Sequence, residues 1–177
     1  MTNEIIIAGF GGQGVVSSGI ILAYAGMIED KHVSFFPSYG AEMRGGTANC
    51  SVVISSDPVA SPIVANPDIV IVMNEPSLAR FEPTLQPNGL FFFNQTLIKS
   101  QPTRKDITII PVEANAIAEE LGQGRIANMV MLGVVAKKTG VLKLETLKKA
   151  QRKRFTKANK KQLELNDKAL ERGYALL

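Results

Sequence analysis

Glycines recur through the stretch Gly9-Phe10-Gly11-Gly12-Gln13-Gly14, leaving a turn almost free of side chains. Glycine has no Cβ and tolerates positive φ, so the backbone N–H groups of such a turn can approach an anion closely. A phosphate or carboxylate is the guest this chemistry favours, provided the turn opens a helix whose first N–H groups are unsatisfied. The alternative is a tight turn that lets helix and sheet pack closely and holds no ligand. A second stretch, Ser38-Tyr39-Gly40-Ala41-Glu42-Met43-Arg44-Gly45-Gly46-Thr47, joins glycines to a tyrosine and two opposite charges without helix or strand periodicity, and so reads as a loop. Arg44 offers a planar fork of donors to a phosphate or carboxylate, Tyr39 a ring and a hydroxyl, while Glu42 can simply pair with Arg44. Candidate site residues are therefore Gly11, Gly12, Gln13, Gly14, Ser38, Tyr39 and Arg44, as contacts to an anion or a partner surface.

Both stretches need elements to hold them. Residues 5–8 form an apolar β-branched run that reads as a buried strand, and residues 15–27 suit a buried helix, so the first glycine stretch is a strand-to-helix turn. The spacing of Gly9, Gly11 and Gly14 also matches G-x-G-x-x-G, a dinucleotide-binding pattern. That pattern needs an acidic residue at the end of the second strand; residues 32–36 run instead into Pro37, Ser38 and Tyr39. In an open sheet the carboxyl end of this second strand shares an edge with the first glycine turn, so the two stretches are expected to face one crevice. Residues 48–54 read as a strand following without a helix, which predicts a mixed sheet. Residues 69–73, 90–93 and 107–110 read as further strands, with Phe91, Phe92 and Phe93 in the core. Helices are expected from Asn74 to about Leu85, at 113–121 and at 126–138, the last two closed by Gly122 and Gly140. Asn128, an amide among apolar neighbours, requires a backbone contact or a bound group. The fold class is α/β: a three-layer, Rossmann-like open sheet, mostly parallel with some antiparallel strands, plus a C-terminal helical tail.

Composition narrows the chemistry. A chain of 177 residues with 45% hydrophobic and 20% charged residues suits one globular core, and no apolar run approaches a membrane span. The N-terminus enters a strand almost at once, unlike a signal peptide, and the lone Cys50 fits a reducing cytoplasm, the expected location. One cysteine cannot hold an iron–sulfur cluster, and the single His32 leaves little scope for a histidine-based metal site. Charge is divided: residues 141–177 hold eleven basic against four acidic residues, and residues 1–140 nine against twelve. We accordingly separate an α/β domain, 1–140, from a basic helical tail, 141–177, packed on it or extending from it. The tail is either a solvated helix face or an attraction for an acidic partner or nucleotide phosphates. Nucleic acid is not expected, because Phe155 is the only aromatic among the tail's cations.

Three segments, Ala8-Gly9-Phe10-Gly11-Gly12-Gln13-Gly14-Val15, the stretch from Pro37 to Thr47, and Ala127-Asn128-Met129-Val130-Met131-Leu132-Gly133, resemble the gamma subunit of the 2-oxoacid:ferredoxin oxidoreductases. The end of the chain, from Glu164 to Tyr174, is similar as well. The resemblance implies a multisubunit enzyme that decarboxylates a 2-oxoacid, passes the acyl group to coenzyme A and sends the electrons to ferredoxin. It implies that thiamine diphosphate, magnesium and iron–sulfur clusters belong to other subunits. This chain has no Gly-Asp-Gly segment of the kind that positions magnesium on thiamine diphosphate. Implied partners are alpha and beta catalytic subunits and a ferredoxin-like delta subunit, with ferredoxin as acceptor; isolated, the chain is a candidate for homodimer formation. The chain is then an accessory, non-catalytic subunit, with no metal or catalytic residue of its own and a crevice facing its partners or coenzyme A. The phrase SYGAEMRGG and the compact length favour the 2-oxoglutarate group, with pyruvate, branched-chain oxoacid and indolepyruvate enzymes as alternatives. A stand-alone NAD-binding protein and a basic nucleic-acid adaptor are the rival readings.

Overall fold

The computed structural model describes residues 1–39 and 46–177. Strands β1 (Thr2–Phe10), β2 (His32–Tyr39), β3 (Thr47–Ser55), β4 (Ile69–Val72), β5 (Leu90–Asn94) and β6 (Thr108–Val112) form one sheet in the order β2-β3-β1-β4-β5-β6. β4 pairs in parallel with β1 and β5, and β5 with β6, whereas β3 runs antiparallel between β1 and β2. The mixed α/β sheet expected from the sequence is thus present. Its antiparallel member exists because β2 and β3 are joined by residues 40–46, too short a connection for a parallel crossover.

The four inner strands, β3, β1, β4 and β5, alternate between two cores. Ile5, Ile7, Val52, Ile54, Ile71 and Phe92 face the larger one, covered by helices α1 (Val15–Ile28), α3 (Ala114–Glu120), α4 (Ala127–Thr139), α5 (Leu144–Arg154) and α6 (Lys160–Tyr174). Ile6, Ala8, Val53, Val72, Phe91 and Phe93 face the smaller one, which is closed by α2 (Glu75–Phe81), the 3-10 turn Glu82–Thr84 and irregular chain. Loop 95–107 reaches β6 without a helix and is pinned by carboxylates: Glu75 accepts from the N–H groups of Lys99 and Ser100, and Glu82 from those of Thr103 and Arg104. Phe91, Phe92 and Phe93 are all 0% exposed, as expected for a strand covered on both faces.

Two expectations are corrected. β1 extends from Thr2 to Phe10, beyond the apolar run, because β3 pairs with its whole length. β2 runs through Pro37 to Tyr39, so Ser38 and Tyr39 lie on a strand and not in a loop. β2 is an edge strand, as is β6 with Pro111, and edges are where a sheet tolerates proline. The C-terminal helices share the larger core: Leu147, Ala150, Ala169 and Leu170 are 0% exposed, α5 packing on α1 and α6 on α4. No helix among the described residues is long and apolar enough to cross a membrane.

Candidate functional site

β1 and β2 point the same way, and their ends meet at the start of β3, where Phe10 pairs with Thr47 and Tyr39 with Ala48. The Gly11 N–H donates to the Gly46 carbonyl at 3.1 Å, so the first glycine turn touches the end of the second glycine stretch. The structure thus brings Gly11 to Gly14 and Gly46 to one edge of the sheet. Ser38 and Tyr39 lie on β2, separated from β1 by β3. Arg44, with Glu42, falls outside the described residues.

The turn holds itself together. The Gln13 N–H donates to the Phe10 carbonyl at 3.1 Å, while Gly12 and Gly14 take φ of 96° and 76°. The Gln13 side chain is engaged at both ends: its Oε1 accepts from the Phe10 N–H at 2.7 Å, and its Nε2 donates to the Met73 carbonyl at 3.0 Å. Gln13 therefore staples the end of β1 to the end of β4. The helix after β1 covers one face of the sheet and the helix after β4 the other, so this staple spans the topological switch point where open α/β sheets bind ligands. A side chain occupies that junction.

Helix α1 starts at Val15 with no capping side chain and no acidic residue in its first turn. Its leading N–H groups remain available to an outside acceptor at the positive end of the helix. They border a hollow of about 260 Å³ lined by Phe10, Gly11, Gly12, Gly14, Val15, Val16, Ser17 and Ala48. On the other side of the turn lies a cavity of about 180 Å³, lined by Gly12, Gln13, Met73, Asn115, Gly124, Arg125 and Ala127. Gly12 belongs to both, so the glycine turn is a ridge between two hollows. Among their lining residues Arg125 is the sole ionisable side chain. The arrangement can hold an anion but, among the described residues, offers no carboxylate, imidazole or thiol to move a proton.

Asn128 finds the backbone contact that its burial requires: its Nδ2 donates to the Gly14 carbonyl at 3.4 Å and to Ser18 Oγ at 3.2 Å. The Ser18 hydroxyl donates in turn to the Gly14 carbonyl at 2.9 Å. The start of α4 is thereby fastened to the start of α1. Other polar residues stand on this edge, of which the sequence reading named Asn74 alone, as a helix start. Asn74 follows β4 and caps α2 by accepting from the Ser77 N–H at 3.0 Å. Asn94 ends β5 and donates to Asn115 Oδ1 at 2.7 Å. The available signal was an asparagine closing an apolar run, in IVIVMN and LFFFN. Arg125 gave no such signal, since loop 122–126 joins the site only through packing. Cys50 is buried and carries no chemistry here: burial pushes its thiol up to about 12.

Fold and site together define a switch-point α/β protein with an anion-receptive turn and no bond-breaking group among the lining residues. The chain belongs to the pyruvate ferredoxin/flavodoxin oxidoreductase family, whose model matches residues 4–176. It is 42% identical over 171 residues to the ketoisovalerate oxidoreductase subunit VorA of Methanothermobacter marburgensis, an alignment covering 96% of this chain and 35% of the relative. The chain thus spans about a third of that protein. The gamma subunit of a keto/oxoacid ferredoxin oxidoreductase from Geobacter sulfurreducens superposes with a TM-score of 0.86 at 28% identity, covering 99% of this chain and 95% of that one. A 2-oxoglutarate:ferredoxin oxidoreductase from Magnetococcus marinus, solved with 2-oxoglutarate, coenzyme A and succinyl-CoA bound, superposes with a TM-score of 0.90 at 26% identity over 99% of this chain and 31% of that one. The resemblance to the gamma subunits therefore extends along the whole chain.

Proposed function

We propose that this chain is the accessory gamma subunit of a multisubunit 2-oxoacid:ferredoxin oxidoreductase, and that it shapes a subunit interface and receives part of coenzyme A. The observation that carries this reading is the pairing of an uncapped helix start with a glycine ridge between two hollows, whose lining among the described residues holds no proton-transfer group. Thiamine diphosphate with magnesium, and the iron–sulfur clusters, belong to alpha, beta and delta partner chains in this proposal; oxidative decarboxylation and electron delivery to ferredoxin occur there. Coenzyme A, when bound, supplies the thiol that accepts the acyl group. Its phosphates suit the N–H groups of Gly12, Gly14 and Val15, with Arg44 adding a guanidinium. Each helix-end contact contributes about 0.3–1 kcal/mol and a charge-assisted hydrogen bond about 1.5–3 kcal/mol, enough to position a phosphate. The substrate proposed is 2-oxoglutarate. A branched-chain oxoacid is the second reading, favoured by the 42% identity to the ketoisovalerate relative against 32–34% to the 2-oxoglutarate synthase subunits KorC.

The test is to isolate the chain with its native partners and assay reduction of ferredoxin or a viologen with each 2-oxoacid in turn. Larger subunits with iron–sulfur colour and activity dependent on both a 2-oxoacid and coenzyme A are expected, with no activity from the chain alone. A chain that purifies without partners and binds NAD overturns the reading. In the assembled enzyme, Arg44→Ala is expected to raise the KM for coenzyme A about 10-fold or more. Unchanged coenzyme A affinity and unchanged assembly together would remove Arg44 from both roles.

A further inference from the structure

The corner formed by the end of α5 and the start of α6 carries more positive charge than its own residues neutralise. All four carboxylates of residues 141–177 are engaged: Glu145 and Glu171 by Lys148, Glu164 by Lys160, and Asp167 by Arg152. Lys149, Lys153, Lys157 and Lys161 remain exposed, with no carboxylate partner among the described residues. Folding does not ask for all of them. Lys153 complements the negative end of α5, but α6 opens on Lys160 and Lys161 with no acidic residue in its first turn, where the helix end is itself positive. Asn159 caps that end by accepting from the Gln162 N–H at 2.8 Å and Lys160 is paired with Glu164, so Lys161 adds repulsion with neither a cap nor a carboxylate partner among the described residues. A local rule broken without a stabilising return marks a surface kept for a partner.

We propose that this corner docks an acidic protein surface on another subunit of the assembly inferred above, and the proposal rests on that reading. Protein is favoured over nucleic acid by two features. Phe155, the corner's aromatic side chain, packs against the core and carries the Arg154 guanidinium over its ring, 5.4 Å from the centroid, leaving no free face for base stacking. Glu164, Asp167 and Glu171 also interrupt the positive surface along α6, which suits a patterned protein face better than a continuous phosphate backbone.

The experiment compares complexes purified through a tag on the wild-type chain, on Lys153→Glu/Lys157→Glu/Lys161→Glu, and on Lys105→Glu/Lys138→Glu as a charge-reversal control. Retention of the partner subunits is measured across about 0.05–1 M salt. The triple variant should lose its partners with affinity weakened about 100-fold at low salt, while the control retains them. Unchanged thermal unfolding of the isolated triple variant establishes that it folds. Retention equal to wild type at every salt overturns the docking proposal and leaves the functional reading intact. Failure of the wild-type chain itself to retain any subunit overturns both. Steeply salt-dependent binding of the isolated chain to a DNA duplex or single-stranded RNA, lost in the triple variant, replaces the protein partner with nucleic acid and overturns the proposal.

Discussion

The glycine turn after β1 and the crossing of α4 with α6 use the same residue for opposite reasons. In the turn, Gly12 and Gly14 supply backbone angles that side chains rarely adopt, and no described residue lies within 4 Å of a Cβ placed on Gly12. At the crossing, Gly133 and Gly173 have ordinary helical backbones, but a Cβ on Gly133 would stand 2.1 Å from the Leu170 carbonyl oxygen and one on Gly173 1.9 Å from that of Val130. One pair shapes an edge that faces outward; the other lets two helices touch backbone to backbone. Glycine count therefore says little about function until the surroundings are known.

Substitutions can break this contrast in graded steps. Gly173→Ala or Gly133→Ala should cost about 3 kcal/mol or more, because backbone cannot move aside as a flexible side chain can. A thermal melt should record a Tm lowered by roughly 6–12 °C. A loss below 1 kcal/mol would mean the helices separate easily, and the crossing would not be a tight contact. Gly14→Ala combines positive φ with a Cβ 2.5 Å from Asn128 Nδ2, for an expected cost of about 2 kcal/mol in urea unfolding. Pairing it with Asn128→Ala should recover part of that loss, since the two positions are in contact. Full additivity would show that the loop strain and the Asn128 clasp are independent. Gly12→Ala meets no neighbour among the described residues, so only the backbone cost of about 1 kcal/mol is expected.

The smallest effect concerns the opposite edge. Glu29 follows α1; burial pushes its carboxyl up, but the Lys143 N–H, the Thr146 hydroxyl and Lys31 outweigh burial and hold it below the usual value of 4.5. A carboxylate held below its unfolded value adds stability that is present above pH 4.5 and lost as pH falls through the lower, folded value. Glu29→Gln should flatten the acid limb of a stability profile below pH 4.5 and leave neutral-pH packing of α5 largely intact. An unchanged acid limb would assign the α1–α5 contact to apolar packing alone.

Much of the fold was legible because its strands are covered on both faces: the runs around Ile6, Val70 and Phe92 carry no polar residue to confuse them. The ends were less legible. Pro37 reads as a stop, yet at a sheet edge its missing N–H costs no ladder bond, and β2 continues to Tyr39. The sequence leaves the basic tail either packed on the domain or extending from it because lysines dominate its composition, while Leu147, Ala150, Ala169 and Leu170 sit at helical spacing beneath them and complete the core.

From sequence alone came the α/β class, the strand-to-helix glycine turn, the buried aromatic strand and the family resemblance, since these depend on local runs and spacing. Tertiary structure decided that β3 lies between β1 and β2, that Gln13 spends its amide on Phe10 and Met73, that Asn128 clasps the glycine turn, and that Arg125 enters the site. Each of those joins residues distant along the chain, and such contacts are chosen by how whole elements pack, which no local pattern records.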